Sequence, residues 1–325
     1  MVWKTLIELA RIIIYPGIIT LILLAFFYEW VDRRYVARLQ NRCGPIYVGP
    51  FGILQPIADF IKLLSKEDIT PEHAEKKLFA IIPIMLFAST LTALMCIPIF
   101  ELNALVSFEG DILLVFFMIM FSSISIFLGG ISSLNRFSLV GSVRTALQML
   151  AYEIPMGLAI AGPAIISGSL SITKIVFWQS ENTCMIILQP LGFIIFILCA
   201  VAELEKVPFD APLAETELVA GWETEFSGKK LALIKISEDL SLLLFASLMS
   251  SLFLGGPYGL FLIPPTLCSL LKITICVLII STIRALFARF RIDQAVRGFW
   301  KIILPLAILQ IIFVELLLGG LMPWL

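Results

Sequence analysis

At 325 residues, 60% hydrophobic and 14% charged, with a mean hydropathy of +1.02, the chain has the composition of a multi-spanning membrane protein and excludes a soluble globule. A formal net charge of −1, with no basic arm and no aromatic-basic alternation, gives nucleic acid nothing to bind. Six cysteines (Cys43, Cys96, Cys184, Cys199, Cys268 and Cys276) without a C-x-x-C pair, and the single histidine His73, leave too few soft ligands for a resident metal or cluster.

A crossing helix needs about 20 apolar residues, and the hydropathy pattern predicts eight spans: 9–28, 78–100, 111–131, 145–168, 185–203, 231–255, 264–286 and 300–321. The first reads as a retained span, because Arg33 and Arg34 follow the apolar stretch and no small-x-small cleavage site is present. The loop after it, 29–77, opens with the Gly/Pro punctuation of GPIYVGPFG. It then becomes amphipathic, with Ile53, Ile57, Phe60, Ile61 and Leu64 at helical spacing and Asp59, Lys62, Ser65 and Lys66 between them. That pattern predicts a short helix lying in the membrane interface or against a partner. A second short surface helix is predicted after Thr70, with Pro71 in its first turn and Glu72 and Glu75 near its positive end.

Span 4 carries Arg144, Gln148, Glu153, Pro155, Gly157, Gly162 and Pro163. A helix of that composition belongs among other helices, tilted or kinked near Pro155, where proline removes a backbone hydrogen bond. Glu153 is an intramembrane acid with two readings, a functional carboxyl or a structural one paired to a neighbouring helix. After span 5 the chain turns abruptly acidic: Glu203, Glu205, Asp210, Glu215, Glu217, Glu223 and Glu225 fall within CAVAELEKVPFDAPLAETELVAGWETEFSG. An ordinary solvated loop is one account. Against it stand the interleaved Val207, Pro208, Phe209, Leu213, Leu218, Trp222 and Phe226, which a freely solvated loop does not need.

Basic residues set the expected orientation. Of 23 Lys and Arg, eight fall between spans 1 and 2, two between 3 and 4, three between 5 and 6, and five between 7 and 8. By the positive-inside rule the loops 29–77, 132–144, 204–230 and 287–299 are cytoplasmic and both termini face outside. Without an internal repeat or a low-complexity stretch, residues 1–325 read as one all-α, polytopic membrane domain of about eight transmembrane helices.

Four stretches in register resemble one family. ELEKVPFDAPLAETELVAGWETEFSG is similar to the acidic loop of the quinone-site membrane subunit of respiratory complex I, the H-type subunit of NADH:quinone oxidoreductases, and of its counterpart in energy-converting membrane-bound NiFe hydrogenases. GGISSLNRFSLVGSVRTALQMLAYEIPMGL resembles the junction of spans 3 and 4 in that family. RRYVARLQNRCGPIYVGPFGILQPIADFIKLLSKED resembles its first cytoplasmic loop, and RFRIDQAVRGFWK its last.

The resemblance implies an eight-helix membrane subunit that docks a peripheral redox arm and links electron transfer to proton or sodium translocation through carboxylates. It implies a path through Glu153, Glu203, Asp210, Glu215, Glu217, Glu223 and Glu225. It also implies a docking face of Arg33, Arg34, Arg38, Arg42, Asp59 and Lys62, completed by Arg284, Arg291, Asp293 and Arg297. Crowded, partly desolvated carboxylates have raised and mutually coupled pKa values, which suits such a role.

Cofactors are then expected in partner subunits, as iron-sulfur clusters and a NiFe centre, with none bound by this chain apart from a quinone in the quinone-using branch. Expected partners are peripheral hydrogenase-like or iron-sulfur subunits, antiporter-like and small membrane subunits, and the lipid bilayer of the cell membrane. Two departures bear on the electron acceptor. Where quinone-using members show R-P-G-P-N and an Asn-Arg pair, this chain has Arg42-Cys43-Gly44-Pro45-Ile46 and Glu205-Lys206. The second is nearer the hydrogenase branch, whereas VGPFGILQPIAD is close to the complex I form. On balance the motifs point to a ferredoxin-driven, quinone-free complex, with a quinone-binding subunit as the alternative. A stand-alone secondary transporter would also use intramembrane acids, but it predicts an inverted repeat.

Overall fold

A computed structural model describes residues 11, 13–259 and 264–321, apart from the side chains of 215 and 317–321. All regular structure among the described residues is helical. The long helices are α1 (Ile18–Leu39), α2 (Gln55–Ser65), α3 (Lys76–Met95), α4 (Asp111–Ser132), α5 (Arg136–Ser167), α6 (Ile172–Glu181), α7 (Pro190–Glu203), α8 (Gly228–Phe253) and α9 (Pro265–Leu286). They are followed by α10 (Ile292–Gly298), which runs through a π-helical stretch (Phe299–Ile303) into α11 (Leu304–Leu321). α3, α4, α5, α9 and the continuous helix Ile292–Leu316 are long and apolar enough by themselves to cross a membrane. Of the other three predicted spans, α7 is short, and α1 and α8 carry charges along their length: Glu29, Asp32, Arg33 and Arg34 on one, Lys235, Glu238 and Asp239 on the other.

The helix limits depart from the hydropathy limits where polar residues are locally satisfied. α1 continues to Leu39 because Arg33 pairs with Glu29 one turn earlier at 2.6 Å, an arrangement that supports helix. Arg33, Arg34 and Arg38 therefore sit on a helix. α5 starts at Arg136, ahead of the expected 145, since the Asn135 side chain accepts the Phe137 N–H at 3.0 Å and caps its first turn. No helix follows Thr70: the Glu75 N–H is taken by the Ser132 carbonyl at 3.0 Å, and the chain turns directly into α3. α6 has no counterpart in the hydropathy pattern. Asp111 organises its start, accepting from the Ile172 N–H at 2.7 Å and the Ser171 hydroxyl at 3.1 Å. The amphipathic helix of the first loop forms as α2, and α5 contains Pro155 and Pro163 in its interior.

α8 is the central helix, packed on α1, α2, α3, α7 and α9. Every residue from Leu242 to Phe253 is buried, with Phe245 and Phe253 against Phe196 of α7. The acidic segment folds back under this bundle instead of projecting from it. Trp222, 1% exposed, packs on Phe226, and two glycines permit the approach. A Cβ on Gly141 would lie 2.8 Å from the Trp222 nitrogen, and Gly221, at φ +56°, would bring one to 2.2 Å from the Pro212 carbonyl.

Candidate functional site

Where the acidic segment meets α1, α2, α8 and α9 there is a cavity of about 500 Å³. Eight carboxylates and four cations line it. α1 contributes Glu29 and Arg33, and α2 contributes Asp59. The acidic segment contributes Glu203, Glu205, Lys206, Asp210 and Glu223, α8 contributes Lys235, Glu238 and Asp239, and α9 contributes Arg284.

The acids divide by partner. Glu203, at the end of α7, accepts from the Ser123 hydroxyl at 2.7 Å and from the Tyr152 hydroxyl. Glu205 accepts from the Thr145 hydroxyl at 2.9 Å and the Trp222 indole at 3.3 Å. Among the described residues neither forms an ion pair. Burial pushes the Glu205 carboxyl up to about 8, against the opposing pull of those two donors. Glu223 is 7% exposed and meets Lys235 at 2.8 Å. Burial, and then the nearby charge of Glu238, hold its carboxyl well above the ordinary range despite the lysine. Asp210 pairs with Arg289.

Glu153 is buried on α5 with its Oε1 unpartnered. It does not line the cavity, but it follows Tyr152, whose hydroxyl reaches Glu203. A buried acid oxygen without a donor is uncommon and calls for a functional account. Glu217 and Glu225 lie away from the cavity. Glu217 is half-exposed and meets Arg144 at 2.7 Å, a contact that lowers its carboxyl pKa; Glu225 accepts from the Asn135 side chain. The side chain of Glu215 lies outside the described residues.

The expected docking residues also separate. Arg33 bridges Glu29 and Asp59, the latter at 2.8 Å, and Arg34 lies over Trp30 and Phe51 at 5.2 and 5.3 Å. Arg38, Arg42, Lys62, Arg291, Asp293 and Arg297 are exposed. Arg284 instead turns inward to Asp32 of α1. This fully buried carboxylate also accepts from Lys206 at 2.9 Å and from the Ser281 hydroxyl at 2.6 Å. A single acid thereby ties α1 and α9 to the acidic segment.

The acidic run alone does not point to Glu29, Asp32, Lys235, Glu238 and Asp239. Their signal is nevertheless present in the sequence, because an ionisable residue inside an apolar helix is costly unless it is paired or lines a polar cavity. Among the described residues no group of three His, Cys, Asp or Glu side chains is arranged to hold a metal ion.

The raised Glu205 carboxyl carries a pH consequence. An unfolded glutamate ionises near its ordinary value, whereas this one keeps its proton up to about 8. The acidic segment therefore loses stability as pH rises between those two values. Corrected for the base-catalysed rise that every exchanging amide shows, the protection of residues 204–223 is expected to fall across that window in the native protein and to fall less in Glu205→Gln, where Glu223 still titrates. An equal response in both would show that Glu205 is not the group responsible.

A family model described as NADH dehydrogenase matches residues 12–315. Similar proteins include the H subunit of the NADH-quinone oxidoreductase of Dehalococcoides mccartyi, 38% identical over 94% of this chain and 85% of that protein. An H subunit of the NADH-quinone oxidoreductase of Syntrophobacter fumaroxidans is 38% identical over 90% of each chain. The corresponding H subunit of Thermomicrobium roseum is 38% identical over 88% of this chain and 89% of its own. With its helical architecture and this breadth of match, the chain belongs to the family of NADH-quinone oxidoreductase H subunits, the membrane subunits of complex I-like assemblies.

Proposed function

We propose that this protein is the membrane-anchor and coupling subunit of a multisubunit respiratory-type redox complex. In this reading it docks a peripheral electron-transfer arm on the face formed by α1, α2 and the loop before α10. It passes the consequence of electron transfer to protons or sodium ions through the carboxylates of the seam. The observation that carries the reading is the cavity itself, in which carboxylates of the acidic segment share one space with Glu29, Arg33 and Asp59 of the proposed docking side. Partly buried acids with no ion pair among the described residues, as at Glu203 and Glu205, hold and release protons in response to a nearby change of charge. The chain sits in the cell membrane with its basic loops and the arm on the cytoplasmic side and both termini outside. Iron-sulfur clusters, and a NiFe centre in a hydrogenase-like assembly, belong to the peripheral subunits, and antiporter-like and small membrane subunits complete the membrane part.

Two acceptors fit this role. The relatives' names favour quinone. The walls of the cavity favour the ferredoxin-driven, quinone-free branch, because a site for an isoprenoid quinone is mostly apolar with few polar groups, and this one presents charge from five elements. The purified complex, reconstituted in vesicles and supplied with reduced ferredoxin, is expected to move ions with no added quinone. Ion movement that appears only with quinone would establish the quinone-binding alternative. A complex that transfers electrons and moves no ions in either case would overturn the coupling role.

A further inference from the structure

Lys235 lies in α8, half-exposed and ahead of the turns that are fully buried. Its ammonium is 2.8 Å from Glu223 Oε2 on the acidic segment and 3.0 Å from Glu238 Oε1 on its own helix. One positive charge is thus shared by two carboxylates from two different elements. Charge counting sets the protonation of this triad. With both acids ionised it carries −1 in a partly desolvated place. With one proton it is neutral, which the low local dielectric favours. The proton rests on Glu223, the more deeply buried of the two: its side chain is 7% exposed, against 43% for Glu238.

Resting on the coupling role proposed above, we infer that Lys235 is a positioning residue for proton exchange between Glu223 and Glu238, connecting the acidic segment to the α1–α2 face. The proton leaves the Glu223 carboxyl and passes along the hydrogen bond between the two acids to the Glu238 carboxylate. The ammonium turns its N–H groups to whichever acid is left ionised. The charge of the triad is unchanged and no electron is transferred within it.

The neighbouring charges give the exchange a direction. Glu238 adjoins Asp239, which shares the cavity with Glu29 and Arg33 of α1 and Asp59 of α2. Glu223 belongs to the segment bearing Glu203, Glu205, Lys206 and Asp210, and Arg284 of α9 completes the wall. Added negative charge at the α1–α2 face draws the proton toward Glu238, and its removal returns the proton to Glu223.

The test compares Lys235→Met and Lys235→Arg in the intact complex, reading ions moved per electron across a pH series. Without the ammonium the Glu223 carboxyl holds its proton more tightly and releases it only at higher pH. In Lys235→Met the ratio is expected to fall at least about tenfold near neutrality, equivalent to a shift of one pKa unit or more, and to recover as the pH is raised. Lys235→Arg keeps the ratio. A Lys235→Met complex with the native ratio at neutrality overturns the assignment, as does an equal loss in both variants that alkaline pH does not restore.

Should Lys235→Met fail to assemble, Lys235→Gln, which keeps a polar side chain without the charge, is read in its place and is expected to show the same loss at neutrality and the same alkaline recovery. A native ratio at neutrality in Lys235→Gln, or failure of both variants to assemble, would give Lys235 a packing role only. A native complex that moves no ions defeats the underlying coupling role instead, so the two failures are distinguishable.

Discussion

Glu203→Gln is expected to lower ion translocation roughly 10²-fold, the scale of a positioned proton donor or acceptor, in a complex that still assembles. The substitution keeps the size of the side chain, and an amide still has an acceptor for one hydroxyl and a donor for the other. The Ser123 and Tyr152 contacts at 2.7 Å and at the second oxygen therefore survive in altered sense. What an amide cannot do is take up or give a proton. Glu203 stands where the cavity meets Tyr152, and Glu153 follows that tyrosine on α5, so its replacement severs the seam from the interior acid. The measurement is the ratio of ions to electrons in vesicles, with assembly checked by co-purification. An unaltered ratio in a fully assembled complex would remove Glu203 from the path.

Asp32→Ala is expected to cause the largest loss of stability. Removing one partner of a buried ion pair leaves an uncompensated charge and typically costs about 3–5 kcal/mol. Two cations depend on this one acid. The lower end, about 3 kcal/mol, is the better expectation, because the Lys206 and Arg284 side chains are 16% and 36% exposed and regain some water from the cavity. Asp32→Asn keeps an acceptor for the Ser281 hydroxyl and should fall between native and alanine. Thermal denaturation of the purified complex reads the loss, and proteolysis within residues 204–214 reads the release of the acidic segment that Lys206 anchors. If Asp32→Ala melts with the native protein and resists protease equally, the three-way bridge contributes nothing measurable.

Much of the molecule is legible as composition and pattern. Long apolar stretches prescribe crossing helices because backbone groups in lipid must be satisfied within a segment. The spacing of Ile53, Ile57, Phe60, Ile61 and Leu64 prescribes α2. The acidic run after α7 marks where polar chemistry gathers, and its apolar residues foretell that the segment is packed, as Trp222 and Phe226 are. Hydropathy misjudges helix ends because an averaging window treats a charge as solvent-seeking wherever it stands. The Glu29–Arg33 pair and the Asn135 cap are local satisfactions that such a window does not register.

The amino-acid order by itself determined that this is a helical membrane subunit of a known family, since hydrophobic length and motif register are properties of neighbouring residues. Only the tertiary structure decided which charges meet. Asp32 finds Lys206 and Arg284 across separations of 174 and 252 residues, and Lys235 of α8 finds Glu223 across a turn of the acidic segment. No period along the chain encodes such pairings. They arise from how the helices pack, because a charge drawn into the bundle is stable only where that packing delivers its counterpart.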